Sequence, residues 1–242
     1  MNRTINFLGI GGHACGSTKL YQLLNSHPSV GFVNPTTEHG VDIRGKECHY
    51  WDRYAHLPVS WYLSLFQWQY PVVGEITPAY ARLDEHTVAQ IHQLFPDTHI
   101  FFIIRDTYER TWSDVRKNIT IQRIESPNLD WMISYATSEK VRLRNDYVRT
   151  AQLWHKYYGA QLHVINFANL VTQPRTVIHH LSDVLNIDAM HYDSMPATEI
   201  DQQINPTAVQ LDSEAFAHWF HQHSEFQWQE QLHQIRQFTH IL

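Results

Sequence analysis

Residues 5–28, INFLGIGGHACGSTKLYQLLNSHP, constrain the fold more than any other part of the chain. A short apolar run (Ile5, Phe7, Leu8, Ile10) leads into Gly11-Gly12-His13-Ala14-Cys15-Gly16-Ser17-Thr18. A helical pattern of Leu20, Tyr21, Leu23 and Leu24 then runs to Asn25. Strand, tight glycine loop and helix start therefore follow one another. Such a loop aims several backbone N–H groups at one point, and the dipole of the following helix adds partial positive charge there. The expected element is a cradle for a phosphate-like anion. Gly11 and Gly16 match the G-x-x-x-x-G spacing of a nucleotide-triphosphate loop, but Ser17-Thr18 stand where that loop has Lys-Ser or Lys-Thr. Lys19 falls too late and points elsewhere on the helix. The plain alternative is a turn that needs glycine only for its backbone angles.

Further apolar segments read as strands at 30–33, 72–75, 99–104 and 162–166, after a first strand at 6–10. Helical periodicity appears at 18–25, 60–67, 85–95, 108–116, 139–158 and 170–185; in the fifth of these, Tyr147, Ala151, Trp154 and Tyr158 share one face. Strands alternating with helices predict an α/β fold, a three-layer sandwich with a central parallel sheet and a P-loop-like loop. Ligands in such folds sit beyond the carboxyl ends of the strands. The glycine loop and the residues after Val73 and Ile104 should thus converge on one cleft. A chain of 242 residues suits one domain, 1–242, and nothing forces a second. Segment 118–138, with Ser126-Pro127-Asn128 and little periodicity, reads as an excursion over the cleft beside the acceptor. The tail, 206–242, reads as one or two amphipathic helices packed on the core.

Apolar content of 43% predicts a real core and excludes disorder, and a net charge of −6 argues against a nucleic-acid partner. Two cysteines, Cys15 and Cys48, are too few for a disulfide framework and fit a reducing compartment. The amino terminus lacks a signal-peptide pattern, and no apolar run approaches the ~18 residues of a membrane span. A cytoplasmic protein with no membrane partner is expected; its oligomeric state stays open. The histidine pairs 179/180 and 221/223 lack the spacing of a helical zinc site, so no metal is expected.

The second informative stretch is FFIIRDTYERTWSDVRKN, residues 101–118. A buried strand ends at Arg105, Asp106 or Thr107 caps a helix, and Ser113 follows eight residues after the arginine. An arginine at a strand end presents a fixed fork of donors suited to two phosphate oxygens. Ser113 adds a hydroxyl if its helix lies across the ligand. The plain alternative is a surface ion network of Arg105, Asp106 and Arg110.

The glycine loop followed by R-D-x-x-x-R-x-x-S resembles the sulfotransferases that use 3′-phosphoadenosine 5′-phosphosulfate. GKECHYWDRY (residues 45–54) resembles the K-E-x-H-F-F-D stretch of heparan-type and related bacterial members, and VGEITPAY (73–80) resembles their G-E-K-T-P-x-Y. Residues 145–187 follow the usual late helix, strand and helix, so the resemblance spans about 6–187. It implies that Gly11, Gly12, His13, Ala14, Cys15, Gly16, Ser17 and Thr18 cradle the 5′-phosphosulfate and that Arg105 and Ser113 bind the 3′-phosphate. Glu47 stands at the position of the catalytic base, His49 is close enough to compete, and Lys46 joins this set. The implied reaction is in-line transfer of a sulfuryl group to a hydroxyl or amine of a small molecule, leaving 3′-phosphoadenosine 5′-phosphate (PAP), without a metal. A carboxylate near its ordinary pKa of about 4.3 is a weak base, and partial burial is expected to raise Glu47 usefully. The plain alternative is an ion pair of Glu47 with Lys46 or Arg44.

Two departures bear on catalysis. Ala14 stands where the family's loop lysine contacts the bridging oxygen, and Ile76 stands for the lysine of E-K-T-P. Either His13, Lys19 or Lys46 compensates, or Ala14 is an introduced substitution, or the chain is a catalytically impaired nucleotide-binding relative. A late basic glycine loop is missing, so the third 3′-phosphate contact is unassigned. A P-loop kinase-like phosphotransferase, with Asp106 on magnesium, is the other open reading; it lacks the lysine after the second glycine. Tyr50, Trp51, Trp61, Trp68 and Trp131 are candidates to line a pocket for a flat or cyclic acceptor. The acidic balance argues against a sulfated polysaccharide, leaving a small metabolite of secondary metabolism as the expected acceptor.

Overall fold

The apolar strands are buried on both faces, and their alternation sets the layering. In the computed structural model, which describes residues 4–37, 41–43, 45–124, 127–201 and 214–242, five parallel strands form one sheet. They are β1 (Phe7–Gly11), β2 (Val30–Gly31), β3 (Val72–Ile76), β4 (His99–Ile104) and β5 (Leu162–Asn166), in the order β2-β3-β1-β4-β5. Leu8, Ile10, Ile100, Phe102 and Ile104 face one core; Phe7, Phe101 and Ile103 face the other. The first core is covered by α2 (Val59–Ser64), α3 (Glu85–Leu94), α7 (Tyr147–Tyr158) and α13 (Trp228–Arg236). The second is covered by α1 (Ser17–Asn25), α8 (Phe167–Thr172) and α9 (Pro174–Leu185), with the short α10 (Met190–Asp193) and α11 (Ala197–Ile200) at its rim. The expected α/β three-layer sandwich is the fold.

Several boundaries differ, each for a local reason. The single helix expected over 139–158 is two, α6 (Glu139–Asn145) and α7, because Asp146 leaves the helical backbone and its carboxylate accepts from Arg149 N at 3.0 Å as the cap of α7. Pro174 likewise splits 170–185: it has no N–H for a continuing helix, and it suits the first turn of a new one. Strand 30–33 shortens to Val30–Gly31, leaving Val33 in an isolated bridge to Phe66.

The excursion expected at 118–138 is largely helical. The helix α4 (Thr107–Gln122) runs six residues past Arg116, and α5 (Leu129–Ala136) follows. Trp112, Val115 and Ile119 form a stripe at helical spacing that packs with Met132, Ala136, Phe216 and Phe220 in a third cluster away from the sheet. The tail supplies α12 (Glu214–His223) to that cluster and α13 to α7. Ser126, Arg44 and tail residues 206–213 lie outside the described residues. Among the described residues no helix is long and apolar enough to cross a membrane.

Candidate active site

The direction of the chain across the sheet reverses around β1, and the crevice at its carboxyl end lies beside β4. The glycine loop fills that place. Gly12 N donates to the Ile103 carbonyl at 2.6 Å, tying the loop to β4. Gly16 has φ +83°, and a Cβ there would stand 2.9 Å from the Phe167 ring, so only glycine fits. Gly16 adds no side-chain cap to α1, and the first turn holds no acidic residue. The first N–H groups of α1 are left to meet an anion.

Of the three cations suggested to replace the loop lysine, Lys46 meets the loop as a charge. Its Nζ donates to Ser17 Oγ at 3.1 Å and to Glu47 Oε1 at 2.8 Å. Lys19 is buried and reaches the Ile200 carbonyl on the other side of α1. His13 Nε2 lies 3.3 Å from Asp114 Oδ1, and burial holds the imidazole below its ordinary pKa, so it is neutral at pH 7 and donates its N–H. Ile76, at the position of the second missing lysine, is fully buried in the core.

Glu47 heads a row of charged groups. His49 Nε2 lies 3.2 Å from Glu47 Oε2, and His49 Nδ1 lies 3.0 and 3.1 Å from the two oxygens of Asp52. Burial alone would raise the Glu47 carboxyl, but the His49 hydrogen bond and the Lys46 ammonium outweigh it and hold it at about 2. The expectation of a raised Glu47 is therefore wrong, because two cationic donors contact the carboxylate. Burial alone would lower His49, but Asp52 and Glu47 raise it to about 9, so the imidazole is a cation at neutral pH. The ion pair with Lys46 is also present, so pairing and membership of the site go together here.

The segment carrying this row is held by a carboxyl group that the sequence reading gave no role. Glu75 is fully buried and accepts from Tyr62 OH (2.6 Å), Tyr80 OH (2.9 Å), Thr77 Oγ1 (2.6 Å) and Cys48 N (2.9 Å). Burial pushes its pKa up, against those four donors. Ile76 N donates to the Lys46 carbonyl at 3.0 Å, so Lys46, Glu47 and His49 are registered against the end of β3.

At the other wall, Arg105 Nη1 donates to the Ala14 carbonyl at 3.2 Å, Nη2 lies 3.2 Å from Glu109 Oε2, and the guanidinium stacks 4.5 Å from the Phe167 ring centroid. Ser113, half-buried, lies one helical turn beyond Glu109 on the same face of α4. The imagined network of Arg105, Asp106 and Arg110 does not form. Asp106 caps α4 by accepting from Glu109 N at 3.0 Å, and Arg110 is fully buried against Asn145 and Asp114. Asp114 lies 2.6 Å from Arg144 Nη1, and the His13 hydrogen bond with the Arg144 and Arg110 charges holds it well below the carboxylate range against its burial.

Comparisons with known proteins bear on the family and the fold. A family model described as "Sulfotransferase family" matches residues 48–192, more than half of the chain. The chain belongs to the sulfotransferase family. No curated protein matches it. The fold of this sulfotransferase is similar to that of a sulfotransferase from Alicyclobacillus acidocaldarius, with a TM-score of 0.67 at 16% identity, covering 97% of this chain and 95% of that one. It is also similar to the sulfotransferase domain of the Synechococcus PCC 7002 olefin synthase, with a TM-score of 0.54 at 16% identity, covering 99% and 96%.

Within the sulfotransferase the aromatic candidates divide. Tyr50 and Trp51 are core residues, 1% and 6% exposed, so they do not line an open pocket. Trp61 and Trp68 pack on the same core, whereas Trp131 stacks on Tyr135, whose hydroxyl meets Asn118 near Asp114. Asp52, Glu75, Thr77, Asp114 and Arg144 were missed. Asp52 could have been found from its place three residues after His49, since that spacing joins side chains across one turn. Asp114 and Arg144 come from separate helices and carry no sequence signal of their partnership.

Proposed function

We propose that this sulfotransferase takes 3′-phosphoadenosine 5′-phosphosulfate as donor and passes its sulfuryl group to a hydroxyl or amine of a small-molecule acceptor, with Glu47 as the base. The observation that carries the proposal is the meeting of Lys46 with both Ser17, at the anion-binding loop, and Glu47. The donor set fits a phosphosulfate: the backbone N–H groups of Gly16, Ser17 and Thr18, the Ser17 hydroxyl and the Lys46 ammonium. The Arg105 fork and Ser113 suit the 3′-phosphate, with Glu109 giving way as the competing carboxylate. When bound, the donor supplies an activated sulfur: the acceptor oxygen or nitrogen bonds to it as the bond to the bridging oxygen breaks and that electron pair stays on the 5′-phosphate.

Glu47 takes the acceptor's proton. Lys46, drawn toward the anion, neutralises charge gathering on the leaving phosphate and releases Glu47 Oε1 to accept from the nucleophile. The loss of the Lys46 contact also lets the Glu47 pKa rise toward a useful value. His49 stays a cation between two carboxylates and fixes the orientation of Glu47 through Oε2. Ala14 is then a loop position whose charge is supplied from Lys46.

PAP is expected to bind in the low-micromolar range or tighter. At about a hundred times its dissociation constant it should add about 2.7 kcal/mol, a rise of roughly 5–10 °C in Tm for a chain of this size. Arg105→Ala should weaken PAP at least tenfold while leaving adenosine 5′-phosphate, which lacks the 3′-phosphate, nearly unaffected. No rise in Tm at saturating PAP would overturn the assignment.

A further inference from the structure

Three elements bring four cations together beyond the Asp52 end of the Glu47–His49–Asp52 row. The π-helical turn Tyr50–Tyr54 carries Arg53, the 3-10 turn Pro78–Arg82 carries Arg82, and α6 carries Lys140 and Arg144. The Pro78–Arg82 turn packs against both the Tyr50–Tyr54 turn and α6. Arg53 Nε lies 3.5 Å from Asp52 Oδ2, and Arg144 lies 2.6 Å from Asp114. The two acids facing the group are already engaged: both Asp52 oxygens accept from His49, and Asp114 is shared by Arg110, Arg144 and His13. Arg82 and Lys140 have no hydrogen-bond or ion-pair partner among the described residues.

The electrostatics agree with the packing. Lys140 is held below its ordinary pKa first by Arg144, then by burial, with Asp114 opposing and Arg82 and Arg53 adding to it. Arg82 is lowered by burial and then by Arg144 and Arg53, with only Asp52 opposing. Uncompensated like charges are unfavourable, and a protein of net charge −6 has acids enough to neutralise them if folding were the sole demand. They lie beyond Asp52, at the end of the row opposite Glu47, and Arg144 reaches the glycine loop through Asp114 and His13. Overall acidity does not argue against this, since charges beyond about 8–10 Å are screened in physiological salt and the local group decides.

We infer that the acceptor carries an anionic group, a carboxylate, phosphate or sulfate, which docks on Arg53, Arg82, Lys140 and Arg144 and so presents its hydroxyl or amine to Glu47. This rests on the sulfotransferase reading proposed above. The cluster selects by charge complementarity: an uncharged analogue leaves Arg82 and Lys140 without a counter-charge.

The test uses the whole protein with PAP filling the donor cleft and pyrophosphate as the probe, titrated calorimetrically. Wild type is expected to bind pyrophosphate, and Arg82→Gln/Lys140→Gln to bind it at least tenfold more weakly with the same PAP affinity. Equal binding by the two proteins, or none in wild type at about 10 mM probe, overturns the inference. If PAP itself fails to bind, the sulfotransferase reading falls, whereas a tenfold difference between wild type and variant with pyrophosphate alone still supports the anion site. In turnover with labelled donor, 4-hydroxybenzoate should exceed its methyl ester at least tenfold in kcat/KM, and the double variant should level the two. An ester preferred by wild type would sink the idea.

Discussion

Glu47→Gln is expected to lower kcat on the order of a hundredfold or more while PAP affinity stays unchanged, because the amide keeps the shape but cannot take a proton. Turnover with labelled donor, alongside the PAP-induced rise in Tm, separates the two effects. The pH profile adds a second check. His49 holds its proton to about 9, so the rate should fall as pH rises through that value and the cation between Glu47 and Asp52 is lost. The same shift links to stability: His49 binds its proton more tightly folded than unfolded, so its contribution is full below about 6.5 and disappears as pH rises through about 9. His49→Gln should cost less in kcat than Glu47→Gln and should remove this alkaline limb. An equal loss from His49→Gln would move the proton-accepting role from Glu47 to His49.

Lys46→Met should cost about 10²–10³ in kcat, the scale of removing one stabilising donor from a developing oxyanion. Ala14→Lys in that background should restore part of the rate. Ala14 has φ +61°, so the backbone already bears the left-handed strain that any non-glycine residue would bring. The restored lysine would approach from the loop rather than from the strand-end segment, so recovery is expected to be incomplete. Unchanged turnover in Lys46→Met would mean that another cation meets the leaving phosphate. A chelator in both assays should leave the rates unaltered, which separates sulfuryl transfer from a magnesium-dependent phosphotransferase.

The sheet was readable because a parallel strand buried on both faces is a continuous apolar run: β4 and β5 were bounded to the residue. The helix breaks at Asp146 and Gln173 were harder, since apolar periodicity continues across them and only cap chemistry or a proline interrupts the backbone. The third cluster escaped because its stripe on α4 packs on α5 and α12 rather than on the sheet. In the candidate site, the stretches that sequence singled out and the structure brings together are the glycine loop, Lys46-Glu47 and Arg105. What failed was the electrostatics. The pKa of Glu47 depends on what surrounds it in three dimensions, and neither the His49–Asp52 bridge nor the Glu75 anchor has an analogue in a linear motif. Arg82 is separated from Lys140 and Arg144 by some sixty residues of chain and meets them only after folding.

The two cysteines have a use unrelated to chemistry on sulfate. Cys15 lies inside the glycine loop and Cys48 between Glu47 and His49, and both thiols are fully covered. Burial pushes the Cys15 thiol up to about 11 and Cys48 well above its ordinary value, so neither is a ready nucleophile in the closed protein. A thiol reagent can therefore reach them only when one of the two walls of the cleft opens. The rate of alkylation at each cysteine becomes a clock for that opening, one dial per wall, read without any added label. PAP should slow the Cys15 clock more than the Cys48 clock if the donor closes the loop first.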